Sequence, residues 1–506
     1  MTEWPKVRDW KSRERVTVPR VRIPLSPPNW IYMNKPIAIH WFRQDLRLSD
    51  NPAFYEASKE SAVLPVYILD DGNSAEFKMG GASRFWLNHS LTSLKNSLDQ
   101  NLSIYHGDPL EILLDLLGRF NIKDVYWNRC YEPWRIKRDT HIKEELIKLG
   151  LSVHTFNGSL LWEPWTIKKA DGTPYKVFTP FYRRGCLQSK EPRDPLPNPN
   201  NTDLLRDTNN SLAIDDLSLL PSINWDIEMK PYWNIGEDGA HQRLEEFLKN
   251  GIENYKEGRN EPSKPFVSRL SPHLHFGEIS PNQAWYAAMH KSEDINVDTF
   301  CSELGWREFS YSQLYFNPEL PKKNLQSKFD LFPWDKDEKK ISAWQKGQTG
   351  IPMVDAGMRE LWLTGSMHNR VRMVVGSFLV KNLLLHWHHG ERWFWDCLVD
   401  ADLASNSASW QWIAGCGADA APYFRIFNPI TQGQRFDSDG DYIRTYIPEL
   451  KALPNKYLFN PWEAPQEELD KANIVIGEDY PRPIIDLKLS RQNALDAFKT
   501  LKKRDS

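Results

Sequence analysis

From residue 33 onward the chain alternates short β-rich runs with amphipathic helical stretches, and this alternation restricts the fold more than any other feature of the sequence. Strand-like runs at 37–42, 62–69, 102–106, 124–128 and 153–156 are separated by helical patterns such as 83–98. Strands joined by helices lie parallel with helices on both faces of the sheet, so a doubly wound parallel α/β domain is expected over 33–165. After Trp225 the apolar period changes to 3.6, and a mainly α-helical domain is expected over 226–483. Between them, 166–225 contains a Pro-, Asn- and Asp-rich run at 191–216 and reads as an interdomain linker. A helical, basic tail is expected at 484–506. Residues 1–32 show neither apolar periodicity nor the apolar core of a signal peptide. Met33 precedes the first strand directly, so 1–32 is expected to be a non-native or disordered extension and Met33 the biological start.

Composition removes several classes. With 64 Lys+Arg against 67 Asp+Glu and a net charge of −3, the chain is neither a disordered polyelectrolyte nor basic overall. A locally basic face stays open, because binding depends on where charge sits as well as on its sum. The longest apolar stretch, 373–385, is interrupted by Lys381 and Asn382 and falls short of the roughly 20 residues that span a bilayer. No membrane partner is expected. Five scattered cysteines without CxxC spacing indicate neither zinc nor a disulfide framework and suit a reducing cytoplasm. Nine of the 22 tryptophans fall between Trp306 and Trp412, a concentration that asks for a role beyond filling a core.

Several local patterns carry chemistry, each with a plainer alternative. Gly415-Cys-Gly-Ala-Asp-Ala420 fits a dinucleotide fingerprint but follows a helical stretch rather than a strand, so a loop between helices is expected. Ser268-Arg-Leu-Ser-Pro272 places Ser271 as a helix cap and Pro272 at the first helical position; it is either an ordinary cap or a phosphate cradle. Helical spacing puts Glu303, Trp306, Arg307 and Ser310 on one face, as an ion pair beside a core indole or as a surface that stacks on a base and bonds its edge. Asn369, Arg372 and Met373 share one side of the next basic stretch and Arg370 another. Asp400 and Asp402 precede Asn406, and without the glycine and glutamate of an EF-hand they read as helix-start acids or as ligand-binding groups. His386, His388 and His389 have the wrong spacing for one metal site, and no metal is expected.

Taken together these segments are decisive. The runs Trp41-Phe-Arg-Gln-Asp-Leu-Arg-Leu-Ser-Asp-Asn-Pro52, Arg269-Leu-Ser-Pro-His-Leu-His-Phe-Gly-Glu278, Trp306-Arg-Glu-Phe309, Met367-His-Asn-Arg370 and 400–428 resemble the photolyase/cryptochrome family, most closely plant cryptochromes and the bacterial photolyases nearest them. The resemblance implies an α/β antenna domain and a helical domain holding FAD. By it, Tyr255, Ser268, Arg269, Leu270, Ser271, Asn369, Arg372, Asp400, Asp402 and Asn406 bind the flavin, with Asn406 facing N5 where plant cryptochromes carry Asp. Trp410, Trp387 and Trp334 match an electron-transfer triad. Glu303 would bond a thymine edge, Trp306 and Trp412 stack on a flipped dimer, and Met373 line the pocket, while Arg259, Arg307, Arg370 and Arg425 match DNA contacts. Asn369 stands where (6-4) photolyases have a second histidine, which points to cyclobutane dimers. Val267 and Phe300 depart from the enterobacterial pattern, as do Trp134 and Arg135 at its folate site; methenyltetrahydrofolate is the expected antenna. The implied protein is a monomeric, light-driven cyclobutane pyrimidine dimer photolyase acting on UV-damaged DNA in the cytoplasm. The alternatives are a signalling cryptochrome, whose usual long tail is not matched by 484–506, and a (6-4) photolyase.

Overall fold

The computed structural model describes residues 36–502, so the expected extension and the expected start at Met33 lie outside the described residues. Strands β1 (Ile37–Phe42), β2 (Ala62–Leu69), β3 (Ser103–His106), β4 (Ile122–Asn128) and β5 (Ser152–Phe156) form one parallel sheet in the order β3-β2-β1-β4-β5. Every residue of β1 and β2 is buried, because central strands of a doubly wound sheet are covered on both faces. Helices α1 (Pro52–Glu60), α2 (Gly81–Ser97), α3 (Pro109–Arg119) and α4 (Pro133–Lys148) make the crossovers. Asn51 and Asp108 cap α1 and α3 through their side chains. The α2 helix begins two residues before its expected start because Gly80 slips under the main chain of a later helix: a Cβ there would lie 2.3 Å from the Trp395 carbonyl oxygen.

The linker is hydrogen-bonded to the sheet. Pairing of β3 with β2 begins only at Val66, which leaves the start of β2 open on that side. Residues 203–205 fill the gap, Val63 donating to the Asp203 carbonyl and Leu205 to the Val63 carbonyl, both at 2.8 Å. Asp207 then accepts from Tyr105 and Arg119.

The helical part contains α5 (Ser271–Phe276), α6 (Ile295–Phe316), α7 (Pro352–Thr364), α8 (Asn369–Ser377), α9 (Trp387–Cys397), α10 (Leu403–Ala414) and α11 (Leu487–Lys502). Helix α10 lies between α6 and α9, and Gly390 allows the second contact: a Cβ at 390 would stand 2.0 Å from the Trp410 ring. Gly415 ends α10 at φ 93°, so the glycine-rich run is a loop, as expected. The C-terminal helix α11 docks on this core, with Ser490 bonded to Asn382 at 3.0 Å and Phe498 stacked on Tyr423 at 4.4 Å.

Candidate active site

Three separate segments converge at the start of α10. Asp400 accepts from Ser271 at 2.6 Å and from Arg372 at 3.0 Å, tying α5 and α8 to the turn before α10. Ser271 is therefore not the helix cap: α5 starts at Ser271, its cap position is Leu270, and the hydroxyl is spent on Asp400 instead of a backbone amide. Arg269 takes a left-handed conformation at φ 54°, and its guanidinium lies 4.4 Å from the Trp233 ring. Arg269 and Ser271 are exposed while Leu270, Pro272 and Leu274 are buried, so this turn directs polar groups outward from an apolar base. Leu270 itself is a core residue. Its side chain is buried, its amide donates to Ser268 and its carbonyl accepts from Leu274.

Asp402 caps α10 through the Ser405 amide and also accepts from the Tyr311 hydroxyl at 2.5 Å. His275 and these hydrogen bonds hold its carboxyl well below the usual range despite burial. One turn into α10, the Asn406 amide donates to the Glu391 carbonyl oxygen at 3.0 Å, which fixes the side chain's orientation. The Glu391 carboxyl accepts from Ser407, and burial pushes it up to about 8.

On α6, Glu303 pairs with Arg259 at 2.6 Å, and burial raises its carboxyl against the opposing pull of that arginine. One turn later Trp306 stacks on Phe178 with ring centres 3.8 Å apart and planes within 11°. One indole face is thus covered and held, and Phe309 packs against the same ring at 5.8 Å. Buried Tyr255 packs against Phe300, the residue that departs from the enterobacterial pattern, and carries Arg259 over its ring at 5.6 Å. Met373 and Trp412 are partly buried against the helical core, Arg370 lies over Phe436 at 4.4 Å and bonds Asn260, and Arg425 is exposed. Asn369 is exposed at the first position of α8, and His368 caps that helix. Burial and the surrounding arginines lower the His368 imidazole to about 3, so it is neutral at physiological pH. The Arg307 guanidinium turns inward to the Ser159 carbonyl at 2.7 Å and to Glu308.

The three tryptophans run from interior to surface. Trp410 and Trp387 are buried and Trp334 is partly exposed. Trp410 rests on Gly390, one turn after Trp387 on α9, and the His386 ring stands 5.1 Å from Trp334 and 5.6 Å from Trp387. Among the described residues no group of three or more His, Cys, Asp or Glu can hold a metal, and no helix is long and apolar enough to cross a membrane. Phe178, Gly390 and Glu391 were not singled out in the sequence. Phe178 lies in a segment without periodicity, and only the neighbouring aromatics Phe181 and Tyr182 mark it.

Comparison with known proteins agrees with this arrangement. Residues 38–200 match the DNA photolyase family and 300–500 match the FAD binding domain of DNA photolyase. A deoxyribodipyrimidine photo-lyase from Agrobacterium fabrum is 46% identical over 92% of this chain and 98% of its own. The chain belongs to the photolyase/cryptochrome family. Cryptochrome-2 of Arabidopsis thaliana is 36% identical over 90% of this chain and 77% of its own length. The crystal structure of a bacterial class III photolyase from Agrobacterium tumefaciens superposes with a TM-score of 0.88 at 44% identity, covering 93% of this chain and 98% of that one. The family thus supplies the same two-layer architecture and an FAD-binding helical domain.

Proposed function

We propose that the protein is a light-driven enzyme that splits cyclobutane pyrimidine dimers in DNA. Reduced FAD, when bound and excited, supplies the electron for ring opening and receives it back. The donor set suits that cofactor: the Ser268 hydroxyl and Arg269 can meet its phosphates, and the Arg372–Asp400 pair, tethered by Ser271, supplies charge beside its ring. Asn406, oriented by the Glu391 carbonyl, would offer a neutral amide to the ring's N5 edge. Trp306, backed by Phe178, and Trp412 hold the extruded lesion, and Met373 closes the pocket against water. Glu303 accepts from a thymine N–H or, once protonated, donates to its carbonyl. Arg259 positions Glu303, and Arg259, Arg370 and Arg425 attract DNA phosphates. Trp410, Trp387 and Trp334 provide a route for reloading the cofactor with an electron from outside.

The observation that carries cyclobutane over (6-4) chemistry is the pair His368-Asn369. The histidine is neutral and caps α8, and its neighbour has no acidic proton, so neither group can serve as the general acid of (6-4) repair. The domain limits 33–165, 166–225, 226–483 and 484–506 remain our reading of the chain's organisation. Five unpaired buried cysteines suit a reducing compartment, and we place the protein in the cytoplasm as a monomer.

For the antenna we propose methenyltetrahydrofolate in the cavity at the carboxyl ends of β1, β2 and β4, the switch point of the sheet. The cavity is lined by Trp41, Arg43, Glu132, Trp134, Arg135 and Arg138, and it reaches Ala401 and Leu403 beside the flavin-side aspartates. Trp41 Nε1 and one Glu132 carboxylate oxygen are buried there without a protein hydrogen bond. An indole wall, a buried carboxylate and three guanidiniums match an aromatic pterin with N–H donors and a glutamate tail.

Purified reduced protein mixed with DNA carrying thymine dimers should remove them under blue light and not in darkness. Absence of light-dependent loss, or repair of (6-4) lesions alone, would overturn the reading.

A further inference from the structure

Segment 168–190 carries Lys168, Lys169, Lys176, Arg183, Arg184 and Lys190 against the single acid Asp171, and all six cations are exposed. It lies along α6 from end to end in antiparallel order. Arg183 grips Asp298 with two bonds of 2.7 and 2.5 Å near the start of the helix. Phe178 stacks on Trp306 in its middle, and its amide donates to Asp419 at 3.0 Å. Further on, Gln313 donates to the Tyr175 carbonyl at 2.9 Å, and Lys168 stands 5.8 Å over Phe316 at the end of α6. Among the described residues Arg183 alone of the six forms a salt bridge. The fixed points, Asp298 to Phe316, lie 18 helical steps apart, or ~27 Å at the α-helical rise, and ~27 Å covers about eight phosphates of one DNA strand.

We infer that this segment is a second, lesion-independent DNA-binding surface: a basic rail that holds backbone phosphates beside the Trp306 pocket, using Lys169, Lys176, Arg184 and Lys190. The inference rests on the DNA-repair reading above and extends it to a surface outside the arginines of the helical domain. Glu303 and Trp306 sit one turn apart on α6, the first paired with Arg259 and the second with Phe178. A duplex whose damaged base enters there is therefore flanked by cations from both partners of α6. Within segment 168–190 the one acid, Asp171, accepts from Thr173 in its own turn and is outnumbered six to one by the cations.

The test is the salt dependence of binding to undamaged and dimer-containing duplexes by the flavin-loaded full chain. Replacing Lys169, Lys176, Arg184 and Lys190 together by Gln should lower the slope of log affinity against log salt by ~0.9 for each phosphate that is no longer neutralised, about 3.6 if all four cations are used. The fall should be the same for both duplexes, so that preference for damage and flavin content stay unchanged. Lys176→Gln and Arg184→Gln singly should each lower the slope by ~0.9, which keeps the test valid if the quadruple variant folds poorly. A control with Lys123, Lys137, Lys143 and Lys148 of the α/β layer changed to Gln should leave the slope in place. An unchanged slope in the rail variants, an equal fall in the control, or weakening confined to damaged DNA would overturn the inference. Failure of the repair reading would show separately, as dimers persisting under light with the wild-type protein.

Discussion

Gly390→Ala tests the contact between α9 and α10 on which Trp410 depends. Alanine normally stabilises a helix interior by ~1 kcal/mol relative to glycine. Here the added Cβ would lie 2.0 Å from one Trp410 ring carbon and 2.5 Å from two more. An unstrained carbon contact is ~3.5 Å, so the indole or the helix must retreat by ~1.5 Å. Trp410 is boxed in by Phe394 at 5.0 Å and Trp344 at 6.2 Å, which leaves little room to retreat. Overpacking of this kind costs up to about 3 kcal/mol, and subtracting the helix gain of ~1 kcal/mol leaves a net destabilisation of about 2 kcal/mol. That corresponds to a fall in Tm of roughly 4–8 °C. The same substitution at Gly118 in α3 meets nothing within 4 Å and should raise Tm slightly. Thermal unfolding followed by circular dichroism reads both, and photoreduction of oxidised flavin in Gly390→Ala should slow as Trp410 is displaced. An unchanged or higher Tm with normal photoreduction would refute the reasoning.

The Glu391 carboxyl sits at about 8 in the folded protein against 4.5 for the free group. Between those values the unfolded chain binds fewer protons, so stability should fall as pH rises through that window; Glu391→Gln, which can still accept from Ser407, should gain on the wild type in Tm from pH 5 to pH 8, and a constant difference would contradict the assignment. Trp387→Phe should block photoreduction of the oxidised flavin and leave repair by pre-reduced protein intact, whereas equal photoreduction would mean that electrons take another aromatic route. Asn406→Asp sets a carboxyl 3.0 Å from the Glu391 carbonyl, so its visible flavin spectrum should become pH-dependent under illumination; spectra identical to the wild type would count against Asn406 lying at N5.

The parallel sheet was legible because β1 and β2 are continuous apolar runs bounded by polar turns, and covered strands need little else to declare themselves. The linker was harder. Its Pro-, Asn- and Asp-rich composition reports only that it is irregular, while its bonds to Val63 and Arg119 arise from a gap in strand pairing that no local pattern encodes. The same holds at the site. Glu303 and Trp306 were readable because one helix turn brings them together, but Phe178 reaches Trp306 from 128 positions earlier in the chain. Arg307 shows the converse: it shares a helical spacing with Glu303 and Trp306 and still turns inward, because the Ser159 carbonyl and Glu308 lie within its reach. Ser271 likewise has the sequence of a cap and serves as a tether for Asp400.

The central claim is that Glu303 and Trp306 on α6 present the lesion to the flavin held by α5, α8 and α10. Single-turnover repair under blue light, with pre-reduced wild-type protein and Glu303→Ala at equal flavin content, tests it most directly. Losing one bond from a charged group, worth about 1.5–3 kcal/mol, should slow the variant by about tenfold or more. Equal rates in the two proteins would contradict the account.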